Sequence, residues 1–175
     1  MAPPDPRGTQ WLLLCEGIVD QNFAYHWLRG RGVPAGKIRR LHVAAGRGSG
    51  EQSVRDRYVD EVQRLRRRRH LAIALLVVID ADLESVDRRQ RELDSQIPRM
   101  DDERIAFAIP KRNIETWICY LTRPPVEEET DYKRRESDAD ACRSAARRLA
   151  TLRSPPDDAP DSLRRFFVEV GRVMP

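Results

Sequence analysis

The chain has 175 residues and a formal net charge of +4; 34% of its residues are charged and only 6% aromatic. That length can bury a sizeable single core, and the scarcity of aromatics leaves Leu, Val, Ile and Ala to build it. No run of about 18 apolar residues is present to span a membrane, and three unclustered cysteines (Cys15, Cys119, Cys142) argue against a disulfide framework or a zinc cluster.

Residues 1–9 read as a short disordered leader without the pattern of a secretory signal. Gln10 to Cys15 is the first predicted strand, and Asp20 to Arg29 a helix with Phe23, Ala24, Trp27 and Leu28 at helical spacing, stopped by Gly30-Arg31-Gly32. Ile38 to Ala44 is a shorter strand leading into the glycine-rich stretch from Ala45 to Gly50. A helix from Ser53 to Arg68 follows, with Val54, Tyr58, Val62 and Leu65 on one face. Ala72 to Ile79 is nearly all apolar, as a central strand buried on both sides must be. A polar helix from Ser85 to Leu93 precedes the strand Ile105 to Ile109, and after Pro110 the residues Ile114, Trp117, Ile118 and Leu121 mark an amphipathic helix. Beyond Leu121 come a loop (Thr122 to Asp131), a helix (Ser137 to Leu152), a proline-rich linker and a last helix (Asp161 to Val173). Alternating strands and helices predict an α/β fold with a mostly parallel four-stranded sheet, helices on both faces and C-terminal helices. The expected division is a catalytic domain over 10–121 and a helical extension over 122–175. Cys15 reads as core filler, and reduced cysteines fit the cytoplasm.

Three of these apolar segments end in acidic signatures. Glu16, Gly17 and Asp20 follow the first, Asp80 and Asp82 the third, and Asn113 and Glu115 the fourth. A strand tip gains nothing from an unpaired carboxylate, whose desolvation is costly. Carboxylates gathered at the carboxyl ends of parallel strands do make a site for a hard divalent cation. Asp80 and Asp82 point to one side if the backbone is extended, and their repulsion calls for a cation between them. The oxygen-only donor set suits Mg²⁺ or Mn²⁺, and His26, His42 and His70 are too scattered for zinc. Against this stand plainer roles: Asp20 as the N-cap of its helix, and Asp82 as the cap of the helix near Ser85.

The first two signatures resemble the Toprim domain, which carries Glu-Gly-x-x-Asp after its first strand and Asp-x-Asp after its third. The third resembles the OLD branch of Toprim nucleases, where a polar-x-Glu element adds a metal-binding carboxylate. The resemblance spans Gln10 to Leu121. It implies a Rossmann-like Toprim fold and a metal-dependent nuclease, with Glu16, Asp20, Asp80, Asp82 and Glu115 as metal-binding and catalytic residues. It also implies a DNA or RNA substrate, a role in bacterial antiviral defence, and a separate ATPase partner, since such domains are commonly fused to an ATPase or work beside one. A glycine after the second strand, here Gly46 or Gly48, belongs to the same pattern; the stretch has no Walker ending.

Lys111 is expected to stabilise charge on phosphate while Arg112 binds a neighbouring phosphate. OLD-type nucleases place a lysine later, where only Lys133 stands, and the sequence leaves the two open. Of the 32 basic residues 29 are arginine. Arg64 and Arg66 to Arg69 form one cluster; Arg134, Arg135, Arg143, Arg147 and Arg148 form another. Each reads either as an attractor of polyanions or as a solvated helix face balanced by residues such as Asp60 and Glu61. The alternative to a nuclease is a catalytically weak module that binds nucleic acid or an ATPase.

Overall fold

A computed structural model describes residues 8–41, 50–133 and 138–174. Its elements in order are β1 (Gln10–Cys15), α1 (Ile18–Gly30), β2 (Ile38–Arg40), α2 (Gly50–Arg67), β3 (Ile73–Val78), α3 (Val86–Gln96), β4 (Ile105–Ala108), α4 (Ile114–Thr122), α5 (Ala139–Thr151) and α6 (Asp161–Val170). The four strands form one sheet in the order β2-β1-β3-β4, every pair parallel. The fold is a Rossmann-like α/β layer structure. The second strand is shorter than the periodicity predicts, and His42 to Ala44 lie outside the described residues, as do Gly46 and Gly48.

Strand alternation divides the core between the two faces of the sheet. Trp11, Leu13, Ala74, Leu76, Val78, Ala106 and Ala108 point to one face, where α1, α4, α5 and α6 cover them. Leu12, Leu14, Leu75, Val77, Phe107 and Ile109 point to the other, under Val54, Tyr58 and Val62 of α2 and Leu93 of α3. β3 is buried along its whole length, in keeping with its unbroken apolar sequence. No helix among the described residues is long and apolar enough to cross a membrane, and the three cysteines are free and buried.

The C-terminal helices are more than an extension. Cys142, Ala145, Ala146 and Leu149 of α5, and Leu163 and Phe166 of α6, share one continuous core with the sheet. Rings from three helices meet there, with Trp117 5.3 Å from Phe166 and Trp27 5.1 Å from it, centroid to centroid. α6 also closes the open edge of the sheet. Glu169 accepts the outward N–H of Phe107 in β4 at 2.9 Å and a hydrogen bond from Arg99 at 2.5 Å, while the Arg99 guanidinium lies 3.7 Å over the Phe107 ring. An edge so covered is blunted against pairing with another strand.

Candidate functional site

At the carboxyl ends of β1, β3 and β4 the chain brings together Glu16, Asp20, Asp80 and Glu115. With Gly17, Gly50, Ile114 and Lys133 they line an open cleft of about 220 Å³. Glu16 leaves β1 and its carboxylate accepts the backbone N–H of Asp80 at 3.1 Å, tying two strand tips together. Asp80 is 3% exposed, Asp20 and Glu115 each 5%. Asp20 lies in the first turn of α1 and Glu115 in that of α4. α1, α2 and α4 all begin at this cleft, so their N-terminal dipoles favour negative charge within it.

The carboxylates still disfavour one another. Burial first, then the charges of Glu16 and Glu115, pushes Asp20 up to about 7. Burial, with Asp20 and Glu16 behind it, raises Asp80 well above the ordinary aspartate value, and burial also raises Glu16 and Glu115. One oxygen of Asp20 and one of Asp80, both Oδ1, are buried without a hydrogen-bond partner among the described residues. Buried unpaired carboxylate oxygens are costly unless a proton or a cation meets them. These hard-oxygen donors, with two lone oxygens turned inward, fit a Mg²⁺ or Mn²⁺ ion. As they stand, no three Asp, Glu, His or Cys side chains among the described residues are drawn close enough to hold a metal ion.

The lysine at the carboxylates is Lys133. Its Nζ lies 3.8 Å from Asp80 Oδ2; burial works against its charge, yet Asp80, Asp82, Glu115 and Glu16 together hold it above the ordinary lysine value. A relay sets its backbone in place: Asp131 Oδ1 accepts the Lys133 N–H at 2.9 Å and the Asn113 side-chain amide at 2.8 Å. Asn113 thus positions the lysine segment from the start of α4. Lys111, the alternative in the sequence, is turned away. Its Nζ donates to the Glu84 carbonyl at 2.8 Å and pairs with Glu129 at 3.4 Å. Arg112 lies 4.0 Å from Asp131.

No protein-family model matches this chain, and neither does any curated protein or solved structure.

Several sequence expectations change in detail. Asp20 is not the N-cap of α1; Gly17 is, and the Asp20 carboxylate reaches back to the Gly17 N–H. Gly17 has ordinary extended dihedrals, so it is needed for space: a Cβ there would sit 2.9 Å from Asp20 Oδ2. Asp82 does not cap α3; Ser85 does, its Oγ accepting the Arg88 N–H at 3.1 Å. Nor do Asp80 and Asp82 share an extended run. Asp82 turns out with φ 53° and bridges Arg112, itself at φ 66°, so Asp82 stands beside the cleft rather than in its lining. Its charge still acts on Glu16 and Lys133. Two non-glycine residues in the left-handed region, paired at the rim of a charged cleft, store backbone strain next to the site.

Arg89 has no counterpart in the sequence reading. It is 2% exposed, its Nε donates to the Asp80 carbonyl at 3.0 Å, and its guanidinium pairs with Glu51 and Glu92. It holds the tip of β3 from behind. Nothing distinguishes it locally from the other arginines of a polar helix, so no sequence signal pointed to it.

The first basic cluster lies at the other end of the sheet. α2 starts at the cleft and its 18 residues carry the chain about 27 Å away. Arg64, Arg66 and Arg69 there pair with Glu61, Glu103 and Asp102 at 2.6, 2.5 and 2.5 Å. Those three belong to a charge-balanced surface formed by the end of α2 and the turns beside it. Arg134 and Arg135 lie outside the described residues.

Proposed function

We propose that this chain is a Mg²⁺- or Mn²⁺-dependent phosphodiesterase acting on nucleic acid, a Toprim-like nuclease of the OLD type. The observation that carries the reading is one pair of atoms: the buried, unpartnered Oδ1 oxygens of Asp20 and Asp80, inside a carboxylate cluster with a lysine at its mouth. A purely structural cluster would be paired with arginines, as carboxylates elsewhere in this chain are.

In this reading Glu16, Asp20, Asp80 and Glu115 would hold the cation, with Asp82 contributing from the rim. When bound, such an ion would supply an activated water and charge neutralisation at the phosphate. The Glu16 carboxylate is oriented by the Asp80 N–H, and Arg89 fixes the carbonyl behind it. Lys133, rather than Lys111, stabilises the negative charge that grows on the phosphate oxygens as water attacks. The water oxygen bonds to phosphorus, the bridging P–O bond breaks, and the leaving oxygen takes a proton. The N-termini of α1, α2 and α4 favour a phosphate at the same place. A separate ATPase partner and a defence role belong to the OLD-type reading and rest on the resemblance alone.

The test is incubation of purified protein with plasmid DNA, single-stranded DNA and structured RNA, each with Mg²⁺, Mn²⁺ or EDTA. Cleavage is expected only with metal and is lost in Asp80→Ala. Cleavage in EDTA, or undiminished in Asp80→Ala, would overturn the reading.

A further inference from the structure

Beside the carboxylate cleft runs a surface unlike the rest of this arginine-rich chain. α1 and α5 pack side by side with both N-termini toward the cleft: Cys142 Sγ lies 3.8 Å from the Val19 carbonyl, and Gly30 meets Ala150 one helix-length on. On the outer side of this pair, Arg143 and Arg147 stand one turn apart and exposed. The packing brings Arg147 against α1, where a Cβ on Gly30 would lie 3.8 Å from the Arg147 Cα; in keeping with that, burial and then the charges of Arg143, Arg147 and Arg40 hold His26 below the ordinary histidine value. Arg40 lies 4.2 Å over the Tyr25 ring and donates to Asn22 at 2.9 Å. Tyr25 in turn meets His26 edge-on at 5.4 Å. The result is a stripe of Arg40, Tyr25, His26, Arg143 and Arg147 that starts beside the cleft.

Two features separate it from the ion-paired arginines of this chain. Arg55, Arg66, Arg69, Arg89, Arg99 and Arg165 are each matched by a carboxylate within 3.0 Å. Among the described residues, Arg143 of the stripe has no carboxylate nearer than Asp140 on its own helix, at 3.6 Å. The stripe also alternates cations with half-exposed rings, a pattern that suits a strand offering both phosphates and unstacked base faces. A duplex hides its base faces and cannot stack on such rings. Ile18, 62% exposed, stands on the cleft lining where the stripe begins, an apolar surface against which a base can rest.

The geometry points to this stripe as the docking track for a single-stranded nucleic acid, with phosphates on Arg40, Arg143 and Arg147 and bases against Tyr25 and His26, leading the strand into the carboxylate cleft. The track rests on the proposed nuclease reading for its purpose, but its binding does not depend on turnover. Fluorescence anisotropy in EDTA, with labelled single-stranded and duplex 20-mers, therefore separates the two. The wild type is expected to prefer the single strand. Arg143→Ala/Arg147→Ala should weaken that binding about tenfold or more and reduce the slope of log affinity against log salt by about 1.4. Tyr25→Leu should weaken single-strand binding about fivefold while leaving duplex binding unchanged. Arg67→Ala/Arg68→Ala, at the far end of the sheet, should bind as the wild type does. Equal binding by the Arg143/Arg147 double variant, absence of single-strand binding, or a preference for duplex unaffected by Tyr25→Leu would each overturn the track. Binding of the expected pattern without cleavage in any metal would leave the track standing and remove the nuclease.

Discussion

Asp20 carries a buried oxygen that no described residue bonds, and its protonation makes stability depend on pH. An unfolded chain ionises this carboxyl near pH 3.9, whereas in the folded chain burial and the charges of Glu16 and Glu115 move it to about 7. The stability this group gives is present in full below the unfolded value and is lost as pH rises through the folded value. Metal-free protein should consequently melt higher at pH 5.5 than at pH 8. His26, held low by burial and then by Arg143, Arg147 and Arg40, works the other way, so the quantity to read is wild type minus Asp20→Asn by differential scanning fluorimetry. Millimolar Mn²⁺ should abolish the difference at pH 8 by stabilising the wild type, by about 2.7 kcal/mol if present at a hundred times its dissociation constant. A pH response identical in the two proteins would count against the crowded cluster. The lysines make a second contrast at this scale. Lys133→Ala should lower single-turnover cleavage about a hundredfold, because its ammonium faces the carboxylates. Lys111→Ala, with Nζ bound to the Glu84 carbonyl, should change cleavage by no more than about threefold.

Helix starts decide how close the site's walls come. Gly50 opens α2 directly against the end of β1: a Cβ there would lie 2.5 Å from the Glu16 carbonyl oxygen and 2.7 Å from its Cγ. Backbone cannot yield to such an overlap without moving either α2 or the strand tip that presents Glu16. Gly50→Ala should therefore destabilise the protein by about 1–3 kcal/mol in urea unfolding, and should lower metal-dependent cleavage more than its loss of stability explains. An alanine variant with unchanged midpoint and turnover would show that α2 is not held against Glu16.

At the scale of the whole molecule, the sheet depends on helices that follow it in sequence. The face of β1, β3 and β4 that carries Trp11, Leu13, Leu76 and Ala106 is covered by α5 and α6 as well as by α1 and α4. Removing residues 122–175 would uncover that face and free the Phe107 edge that Glu169 occupies. A chain ending at Leu121 should lose its cooperative thermal transition, bind a hydrophobic dye and associate through its open edge. Independent cooperative folding of 1–121, seen by calorimetry, would restore the division into a domain and an extension.

Local pattern made the strands and helices legible, because apolar periodicity and breakers such as Pro110 act over a few residues and need no partner. Gln10–Cys15 is the first strand both in its sequence and in the structure, and the unbroken apolar run after Ala72 marks a strand buried on both sides. The same logic brought Glu16, Asp20, Asp80 and Glu115 to one end of a parallel sheet, since strand tips in such a sheet share an edge whatever the loops do. What needed the tertiary structure was everything set by groups distant in the chain. Lys133 comes to Asp80 only through the Asn113–Asp131 relay, and Arg89 reaches the Asp80 carbonyl only because α3 packs beneath β3. The left-handed turn at Asp82 is held by its bridge to Arg112 across the sheet end. Whether an arginine is a free cation or half of an ion pair was likewise undecided by sequence, because its partner stands on another element. The sequence settles which backbone each segment prefers; the pairing of charges depends on where the folded layers put them.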